Sequence, residues 1–420
     1  MSRSSPTRLR VVVTGLIAQH PRLGGVAWDY VQYPAGLARL GHDVYYLEDS
    51  GEWPYLLDGG DDPESWIARD PSENVRHLAA VMDAAGLRDR WMYRFPVDGR
   101  WYGLPDRRRE EVLASADLLV NVSGTLEHPE RYCRGPRLAY IDSDPVFTQA
   151  KLLADPGGAF AQRVDAHDVF FTFGARIGEG AFATPHGWRP TLQPLVLSEW
   201  SPAPVARPGL TTVMSWTSYE PIESQGLMLG QKDVELRRLI DLPRRSPLPL
   251  EIALGSLHHT SWETAGEERL AGRGGAALTP VEILRTAGWR VVDAFKACAT
   301  PEAYRAYIRL SGGELSVAKS GYVVGRSGWF SCRSACYLAC GRPVIVQDTG
   351  FAPTPPAGVG VLAFDTPDGA VAAIEDVAAN PARHARAARE IAGEYFEAGR
   401  VLGPLLEEAL DARPRVVAGT

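Results

Sequence analysis

The first fifty residues alternate between the pattern of a buried strand and that of a helix, which restricts the folds open to the chain. Residues 9–16 are a β-branched apolar run, typical of a central parallel strand covered on both faces. A loop with two glycines follows, and apolar residues then recur at helical spacing over residues 27–40, ended by Gly41. Residues 43–48 are a second apolar run. This strand–helix–strand unit predicts an open α/β sheet, in which ligands bind at the carboxyl ends of the strands.

The same alternation continues through the chain. Further strands are predicted at residues 117–122, 137–141, 168–173, 211–216, 250–254, 289–294, 315–318 and 344–347. Further helices are predicted over residues 234–240, 301–309 and 329–340. Two doubly wound, Rossmann-like domains in series account for this order.

A chain of 420 residues is too long for one core and accommodates two such domains of about 200 residues each. The proline-rich stretch 201–208 is the predicted linker, since its prolines favour extended backbone. We therefore predict an N-terminal domain over residues 1–205, a second domain over residues 206–370, and C-terminal helices over residues 371–420 that pack back on the first domain.

Composition limits the partners and the compartment. The 44 basic and 51 acidic residues give a net charge of −7, which argues against a general binder of nucleic acids or anionic membranes. The five cysteines are too few for a disulfide framework and indicate a reducing compartment. The sequence has no apolar stretch of signal-peptide or transmembrane length, so a cytoplasmic protein is predicted. Monomer and homodimer are both compatible with this composition.

The segment over residues 316–351 carries the strongest chemical signal. It predicts a strand, a small and basic loop, a helix, a Gly-Arg-Pro turn, a buried strand and a polar loop. A helix that begins after Gly328 would direct its free N–H groups at a phosphate, and Arg326, Ser327 and Ser331 can add side-chain donors. The alternative is that these residues only cap the helix, as serine commonly does.

This segment resembles the C-terminal donor-binding motif of the GT-B glycosyltransferases. The resemblance is closest to a group of bacterial family-one-like enzymes, through Arg-Ser-Gly-Trp-Phe-Ser-Cys-Arg-Ser-Ala-Cys-Tyr-Leu-Ala at residues 326–339 and Gln-Asp-Thr-Gly-Phe at residues 347–351. The group also shares Gly-Gln-Lys-Asp at residues 230–233 and a Trp-x-Pro-Thr-x-Gln-Pro run at residues 188–194. The resemblance implies two domains facing a cleft and a nucleotide-sugar donor as co-substrate, with no cofactor and no metal.

The resemblance also implies roles by position. Gly24 and Gly25, after the first strand, would let the backbone approach the transferred sugar, and Trp216 and Thr217, after the first C-terminal strand, would line the cleft opposite. The diphosphate would be held by Lys232 on one side and by Arg326, Ser327, Gly328 and Ser331 on the other. Phe295 and Lys296 would meet the nucleotide base, and the Gln347 loop, with Asp348, Thr349 and Gly350, would meet sugar hydroxyls.

The sequence departs from the family pattern at one point. Retaining enzymes of this fold commonly have two glutamates eight positions apart around the donor helix, whereas this chain has Gly328 and Cys336 there. The departure leaves the ribose contact and the stereochemical outcome open.

His20 is the predicted catalytic base. It lies in the loop after the first strand, and a neutral imidazole can take a proton from an acceptor hydroxyl. A histidine that only makes local hydrogen bonds is the alternative. Asp142 would orient His20 or act as the base, although Asp142 and Asp144 also fit a turn.

Other chemically reactive residues carry weaker signals. Cys332, Cys336 and Cys340 share one helix face, but three such cysteines cannot surround a tetrahedral metal without a further ligand, so an apolar face is predicted. His258 and His259 have no third ligand nearby in sequence, and no metal site is predicted.

The sequence thus predicts a glycosyltransferase that acts on a small-molecule acceptor, such as a natural-product or carbohydrate precursor. A nucleotide-sugar epimerase on the same fold, or a non-catalytic protein that binds the sugar nucleotide, is the alternative. A dinucleotide dehydrogenase is disfavoured because no Gly-x-Gly-x-x-Gly follows the first strand.

Overall fold

A computed structural model describes residues 8–56, 66–133, 136–178, 180–255 and 278–411. The chain divides into two compact units. Unit 1 consists of Met1–Phe173, Ala183–Val196 and Phe396–Thr420, and unit 2 consists of Gly174–Phe182 and Leu197–Tyr395. His258 and His259, the paired histidines of the sequence, lie outside the described residues.

Unit 1 is built on an eight-stranded sheet. Its strands are β1 (Arg10–Thr14), β2 (Asp43–Glu48), β3 (Trp91–Arg94), β4 (Trp101–Gly103), β5 (Leu118–Val122), β6 (Arg137–Asp142), β7 (Val169–Thr172) and β8 (Arg189–Pro190). Their order is β4-β3-β2-β1-β5-β6-β7-β8, parallel except for the β3–β4 pair. The chain runs outward from β1 to β4 and then returns to β5 on the other side of β1. The carboxyl ends of β1 and β5 therefore form a topological switch point, where α/β sheets bind ligands.

Helices cover this sheet. They are α1 (Gly24–Arg39), α2 (Ser72–Ala84), α3 (Asp106–Ala114), α4 (Phe147–Ala154) and α5 (Ala159–Asp165). Val11, Val12 and Val13 of β1 are fully buried, which is why this strand is apolar on both faces. The observed strand is shorter at both ends than the predicted apolar run at residues 9–16 but has the same apolar centre.

Unit 2 is built on a six-stranded parallel sheet and a separate hairpin. Its strands are β9 (Arg207–Ser215), β10 (Ile222–Ser224), β11 (Leu227–Leu229), β12 (Leu250–Gly255), β13 (Arg290–Asp293), β14 (Ser311–Ser316), β15 (Val344–Gln347) and β16 (Val361–Phe364). The large sheet has the order β13-β12-β9-β14-β15-β16, and β10 and β11 pair antiparallel. Here the chain reverses between β9 and β14, which makes the carboxyl ends of these strands the second switch point.

The helices of unit 2 are α6 (Lys232–Arg238), α7 (Pro280–Thr286), α8 (Ala294–Ala297), α9 (Pro301–Arg309), α10 (Ser320–Val324), α11 (Cys332–Ala339), α12 (Pro367–Ala379) and α13 (Pro381–Ile391). One apolar cluster joins α6, α7 and α12 to the sheet, and it includes Leu236 of α6, Ile252 of β12 and Ile374 of α12. The last helix, α14 (Ala398–Asp411), returns to unit 1 and packs on α1. The predicted α/β class, with a C-terminal crossing back, is confirmed.

The boundary between the units lies earlier than the predicted residue 205. Leu197 to Trp200 form a 3₁₀ turn that belongs to unit 2, because Trp200 is fully buried with its ring edge on Tyr304. Glu199 also forms an ion pair with Arg305 at 3.0 Å. The contacts of this turn, rather than the prolines that follow, set the boundary.

The predicted return of residues 371–420 to the first domain holds only from Phe396 onward. Helix α13 packs against α11, and His384 of α13 accepts a hydrogen bond from the backbone N–H of Gly360 at 3.2 Å. These contacts hold α12 and α13 in unit 2.

Candidate functional site

The carboxyl edge of the unit 2 sheet collects most of the residues predicted to bind a donor. Thr217, two residues beyond β9, is exposed. The loop before α6 lies beside the start of α10, since the N–H groups of Ser320 and Gly321 donate to the carbonyl oxygens of Gln231 and Gly230 at 3.3 and 3.0 Å. This contact brings Lys232, the first residue of α6, to the switch point.

Lys319 is a cation at this edge that the sequence did not single out. It is the residue before α10, and its Nζ donates to the hydroxyl of Tyr219 at 2.9 Å and lies 4.5 Å from the centre of that ring. The sequence offered a weak signal, because Lys319 follows a predicted strand directly.

The N-terminus of α11 borders a small pocket. Residues from β14, β15 and the loops around α11 line it, namely Ser316, Ala318, Trp329, Phe330, Ser331, Ser334, Val346, Gln347 and Phe351. Ser331 is the N-cap residue, yet its side chain makes no capping hydrogen bond. The first N–H groups of α11 therefore have no side-chain cap, and they carry the positive end of the helix dipole.

Two polar atoms of this lining are buried without a partner in the described residues. They are the hydroxyl of Ser334, a fully buried residue, and the indole Nε1 of Trp329. Buried donors in folded proteins are normally paired, so a pocket that holds two unpaired ones is suited to a ligand with acceptor oxygens.

A buried network holds α11 in place. Arg333 donates to Glu314 of β14 at 2.5 Å, to Ser316 at 2.6 Å and to the carbonyl oxygen of Val213 of β9 at 2.5 Å. Tyr337, one turn further along α11, shares a hydrogen bond with Thr211 at 2.6 Å. The Arg-Ser-Ala-Cys-Tyr part of the motif thus fixes the helix over the switch point.

The donor helix begins later than predicted, and the loop before it has a role of its own. Trp329 pairs with Gly174 in a β-bridge and Ser331 has extended backbone, with φ −72° and ψ 131°, so α11 starts at Cys332. The predicted start after Gly328 is therefore wrong. Arg326 donates to Asp348 at 3.0 Å, and Gly328 N–H donates to the carbonyl oxygen of Thr349 at 2.8 Å. These bonds join the Arg326 loop to the loop at residues 348–350.

Ser327 and Gly328 support the loop rather than offering free donors. Ser327 is buried, and its hydroxyl accepts from Trp329 N–H at 3.2 Å. A Cβ at Gly328 would lie 2.9 Å from the backbone nitrogens of Ala175 and Arg176. These contacts account for the presence of Ser327 and Gly328 in the loop, and their contact with diphosphate stays a prediction.

Trp216 does not line an open site. It is 2% exposed and belongs to the apolar core of unit 2, with Met214 and Leu236. The prediction that Trp216 faces the ligand is corrected, because the ring is directed into the core just beyond the end of β9.

Phe295 and Lys296 follow β13 directly, in α8. Asp293 caps this helix by accepting from Phe295 N–H at 2.9 Å, and its carboxylate lies 3.8 Å from the exposed Lys296 Nζ. Their position at the carboxyl edge agrees with the expectation, and contact with a base stays a prediction. Gln347 is buried instead, with its side chain bonded to Glu235 and to Ala318 N–H.

At the switch point of unit 1, the structure places His20 in the loop between β1 and α1. Its ring stacks on Tyr55, with centroids 5.2 Å apart and planes 11° from parallel. Burial lowers the pKa of His20 from 6.5 to about 4, so the imidazole is neutral at pH 7. Within the described residues neither ring nitrogen of His20 has a hydrogen-bond partner. Gly24 and Gly25 follow as the first two residues of α1, which has no side-chain cap.

Glu48 supports this loop, a role that the sequence did not reveal. It is fully buried at the end of β2 and accepts from the N–H groups of Ala18 and Gln19 at 2.8 and 2.6 Å, and from the Tyr46 hydroxyl at 2.8 Å. Burial raises the pKa of Glu48 to about 7, against the effect of these three donors. The carboxylate thereby fixes the two residues that precede His20.

Asp142 is buried and fully hydrogen-bonded, which argues against its predicted role as a base. It is buried at the end of β6, and its two oxygens accept four hydrogen bonds, from Asp144 N–H, Thr148, Gln149 and Thr172 at 2.7 to 3.0 Å. Burial raises its pKa. With every acceptor position in use and no contact to His20, Asp142 anchors the start of α4, and the alternative interpretation as a turn residue is the one that the structure supports.

The described part of the chain shows no group of three His, Cys, Asp or Glu side chains arranged to hold a metal ion. All five cysteines are free thiols. None of the described helices is both long and apolar enough to cross a membrane.

Known proteins resemble this chain in structure but not in sequence. No protein-family model matches it, and no curated protein matches it at a significant level. An alpha-glucosyltransferase solved with UDP and a 13-mer DNA containing an HMU base superposes with a TM-score of 0.56 at 11% identity, over 96% of this chain and 99% of that chain. Anabaena HepE, solved with UDP and glucose, gives 0.54 at 10% identity over 96% and 100%. Sucrose-phosphate synthase from Thermosynechococcus elongatus gives 0.51 at 13% identity over 97% and 100%.

At these identities the comparison establishes the fold. The chain has the GT-B fold of the glycosyltransferases, with its two Rossmann-like units, as the sequence motifs predicted.

Proposed function

We propose that the protein is a glycosyltransferase that moves a sugar from a nucleotide-sugar donor, bound through unit 2, to a hydroxyl of a small-molecule acceptor. One observation carries the proposal: at the switch point of unit 2, unpaired buried donors and the uncapped start of α11 lie beside the cationic side chain of Arg326. Such an arrangement suits a diphosphate. The solved structures of this fold named above contain UDP in two of three cases.

His20 is the base in this proposal. A neutral His20 takes the proton of the acceptor hydroxyl while the acceptor oxygen bonds to the anomeric carbon of the sugar. The bond from that carbon to the diphosphate oxygen breaks, and its electron pair leaves with the nucleoside diphosphate. The pKa of about 4 keeps His20 unprotonated at neutral pH, and its stacking on Tyr55 fixes the ring plane.

Two features support a small acceptor rather than a nucleic acid. Trp53, on the same loop as Tyr55, is 60% exposed and offers an aromatic face of the kind on which sugar rings and aromatic acceptors stack. The net charge of −7 disfavours DNA, which binds through basic surfaces. We also propose that the enzyme works in the cytoplasm, where its five free thiols remain reduced.

The test begins with thermal unfolding in the presence of UDP-, dTDP- and GDP-sugars, because a ligand that binds the native state raises the melting temperature. The stabilising donor is then incubated with and without candidate acceptors. We expect transfer of the sugar to an acceptor and release of the nucleoside diphosphate. Epimer formation from donor alone would favour the epimerase, and binding without turnover on any acceptor would favour the non-catalytic protein.

Arg326→Ala should weaken the affinity for that donor about tenfold and reduce its salt dependence, because one charge-assisted contact is lost. Arg245→Ala is the matched control, since Arg245 is an exposed arginine of unit 2 that pairs with Asp368 rather than with Asp348. Equal donor affinity in wild type and Arg326→Ala would contradict the assignment of this loop to the diphosphate.

A further inference from the structure

A short segment from the first half of the chain belongs to unit 2. Gly174–Phe182 lies between two stretches of unit 1 in sequence, yet it clusters with unit 2. Gly174 forms a β-bridge with Trp329, and Arg176 N–H donates to the carbonyl oxygen of Ser327 at 3.1 Å. The segment is thereby fixed to the loop that precedes α11.

This attachment brings a second arginine to the Arg326 loop. A Cβ built on Gly350, whose φ is +84°, would lie 3.3 Å from Arg176 Cδ and 3.4 Å from its Nε, and 3.5 Å from Arg326 Nε. Both side chains therefore pass over the same glycine. The absence of a side chain at Gly350 is what leaves room for the two of them.

Two cationic side chains but only one carboxylate lie around Gly350. Arg326 pairs with Asp348 at 3.0 Å. Arg176 is exposed, and within the described residues its guanidinium makes no ion pair and no hydrogen bond. Two cations next to one carboxylate repel each other, and an anion bound between them relieves the repulsion. The nearby pocket adds the buried, unpartnered hydroxyl of Ser334, which is a second and independent indication of a ligand.

We propose that Arg176 and Arg326 together bind an anionic group of the donor, either its diphosphate or a carboxylate on its sugar. The inference rests on the proposed function and extends it, because it adds a donor-binding residue from the first half of the chain, outside the motif. Arginine suits this task because its guanidinium binds phosphate and carboxylate oxygens through two parallel N–H groups.

The experiment measures affinities by calorimetry for wild type, Arg176→Ala, Arg326→Ala and the double variant, with Arg245→Ala as control. The ligands are the tightest-binding nucleoside diphosphate among UDP, dTDP and GDP, its monophosphate, and its nucleotide sugars with glucose and with glucuronate. If the diphosphate is the ligand, Arg176→Ala weakens the diphosphate about tenfold and the monophosphate less. If a sugar carboxylate is the ligand, only the glucuronate donor loses affinity. Either result supports the proposal.

The double variant adds a further check. Two arginines that bind the same anion should show a combined loss that differs from the product of the single losses. Affinities of Arg176→Ala within twofold of wild type for all four ligands would overturn the inference while leaving the proposed function intact. If the wild-type protein bound none of the nucleotides, that result would contradict both the inference and the proposed function. Arg176→Lys, which keeps the charge, should recover part of the affinity and exclude a folding defect.

Discussion

His20 illustrates how the surroundings of one residue set its chemistry. The ring is stacked on Tyr55, and its removal from solvent lowers its pKa to about 4. Glu48, which binds the backbone of the two preceding residues, holds the loop in this conformation. A histidine on an open loop would be partly protonated at pH 6.5 and would serve less well as a base.

We predict that His20→Gln lowers kcat at least a hundredfold while leaving the dissociation constant of the donor within twofold of wild type, because the lost step is proton transfer. His128→Gln, a change at an exposed histidine, is the control. Steady-state kinetics and donor titration give the two numbers. Turnover near the wild-type value would show that another group is the base.

The pKa of His20 also predicts a pH dependence of stability. Because the folded-state pKa of about 4 lies below the unfolded value of 6.5, the unfolded chain binds more protons between these values. The contribution of His20 to the free energy of unfolding is thus complete above pH 6.5 and is lost as the pH falls toward 4. Denaturant unfolding at pH 7 and pH 4.5 should show a smaller loss for His20→Gln than for wild type. An equal loss in both proteins would contradict the lowering of the His20 pKa by burial.

At the scale of elements, α11 owes its position to a buried charge pair. Arg333 and Glu314 are both buried, and a buried arginine that loses its partner, or a glutamate left alone, is costly. Arg333→Met should reduce the free energy of unfolding by about 3–5 kcal/mol. Combining it with Glu314→Gln should restore part of this loss, since no uncompensated charge then remains. Chemical denaturation of the three variants measures both effects, and a double variant no more stable than Arg333→Met would argue against the pair.

Elements whose signal is local were predictable from the sequence. The strands at residues 43–48 and 344–347 and the helix at residues 301–309 have the predicted bounds. A short run of β-branched, aromatic or leucine residues defines each strand, and a Thr-Pro start defines the helix. The start of α11 was not predictable, because Trp329 is held in a β-bridge by Gly174, a residue from a distant part of the chain.

The residues of the candidate site also divide into those whose position the sequence predicted and those whose position it did not. The order of elements correctly placed His20 in the loop after β1, whereas the bond between Arg326 and Asp348 is seen only in the structure. The interpretations of Trp216 and Asp142 failed because both residues point inward, and side-chain direction at a strand end depends on the packing of the whole unit. Arg176 gave no signal, since its contacts lie about 150 residues further along the chain.

At the scale of the whole molecule, the packing of α14 on α1 completes unit 1. A Cβ at Gly36 would lie 2.7 Å from Leu402 Cδ1 and 2.9 Å from Ala398 Cβ, so the two helices approach as closely as a glycine allows. Gly36→Val should therefore reduce the free energy of unfolding by about 1–3 kcal/mol through overpacking.

The Gly36 prediction has a control and a spatial signature. Gly157→Val, at an exposed glycine with no atom within 4 Å of its added Cβ, should change stability by less than about 0.5 kcal/mol. Hydrogen exchange should accelerate in α1 and α14 of Gly36→Val and stay unchanged in the sheet of unit 2. Uniform acceleration in both units would contradict a local effect.

The return of the last helix has a consequence for biosynthesis. A ribosome delivers α14 only after every other described helix and strand, so the face of α1 around Gly36 stays uncovered while all of unit 2 is made. The half that is translated first is thus the half that is finished last, in contrast to the usual N-terminal-first order. Nascent chains stalled before residue 396 should resist protease in unit 2 while remaining open to it around α1.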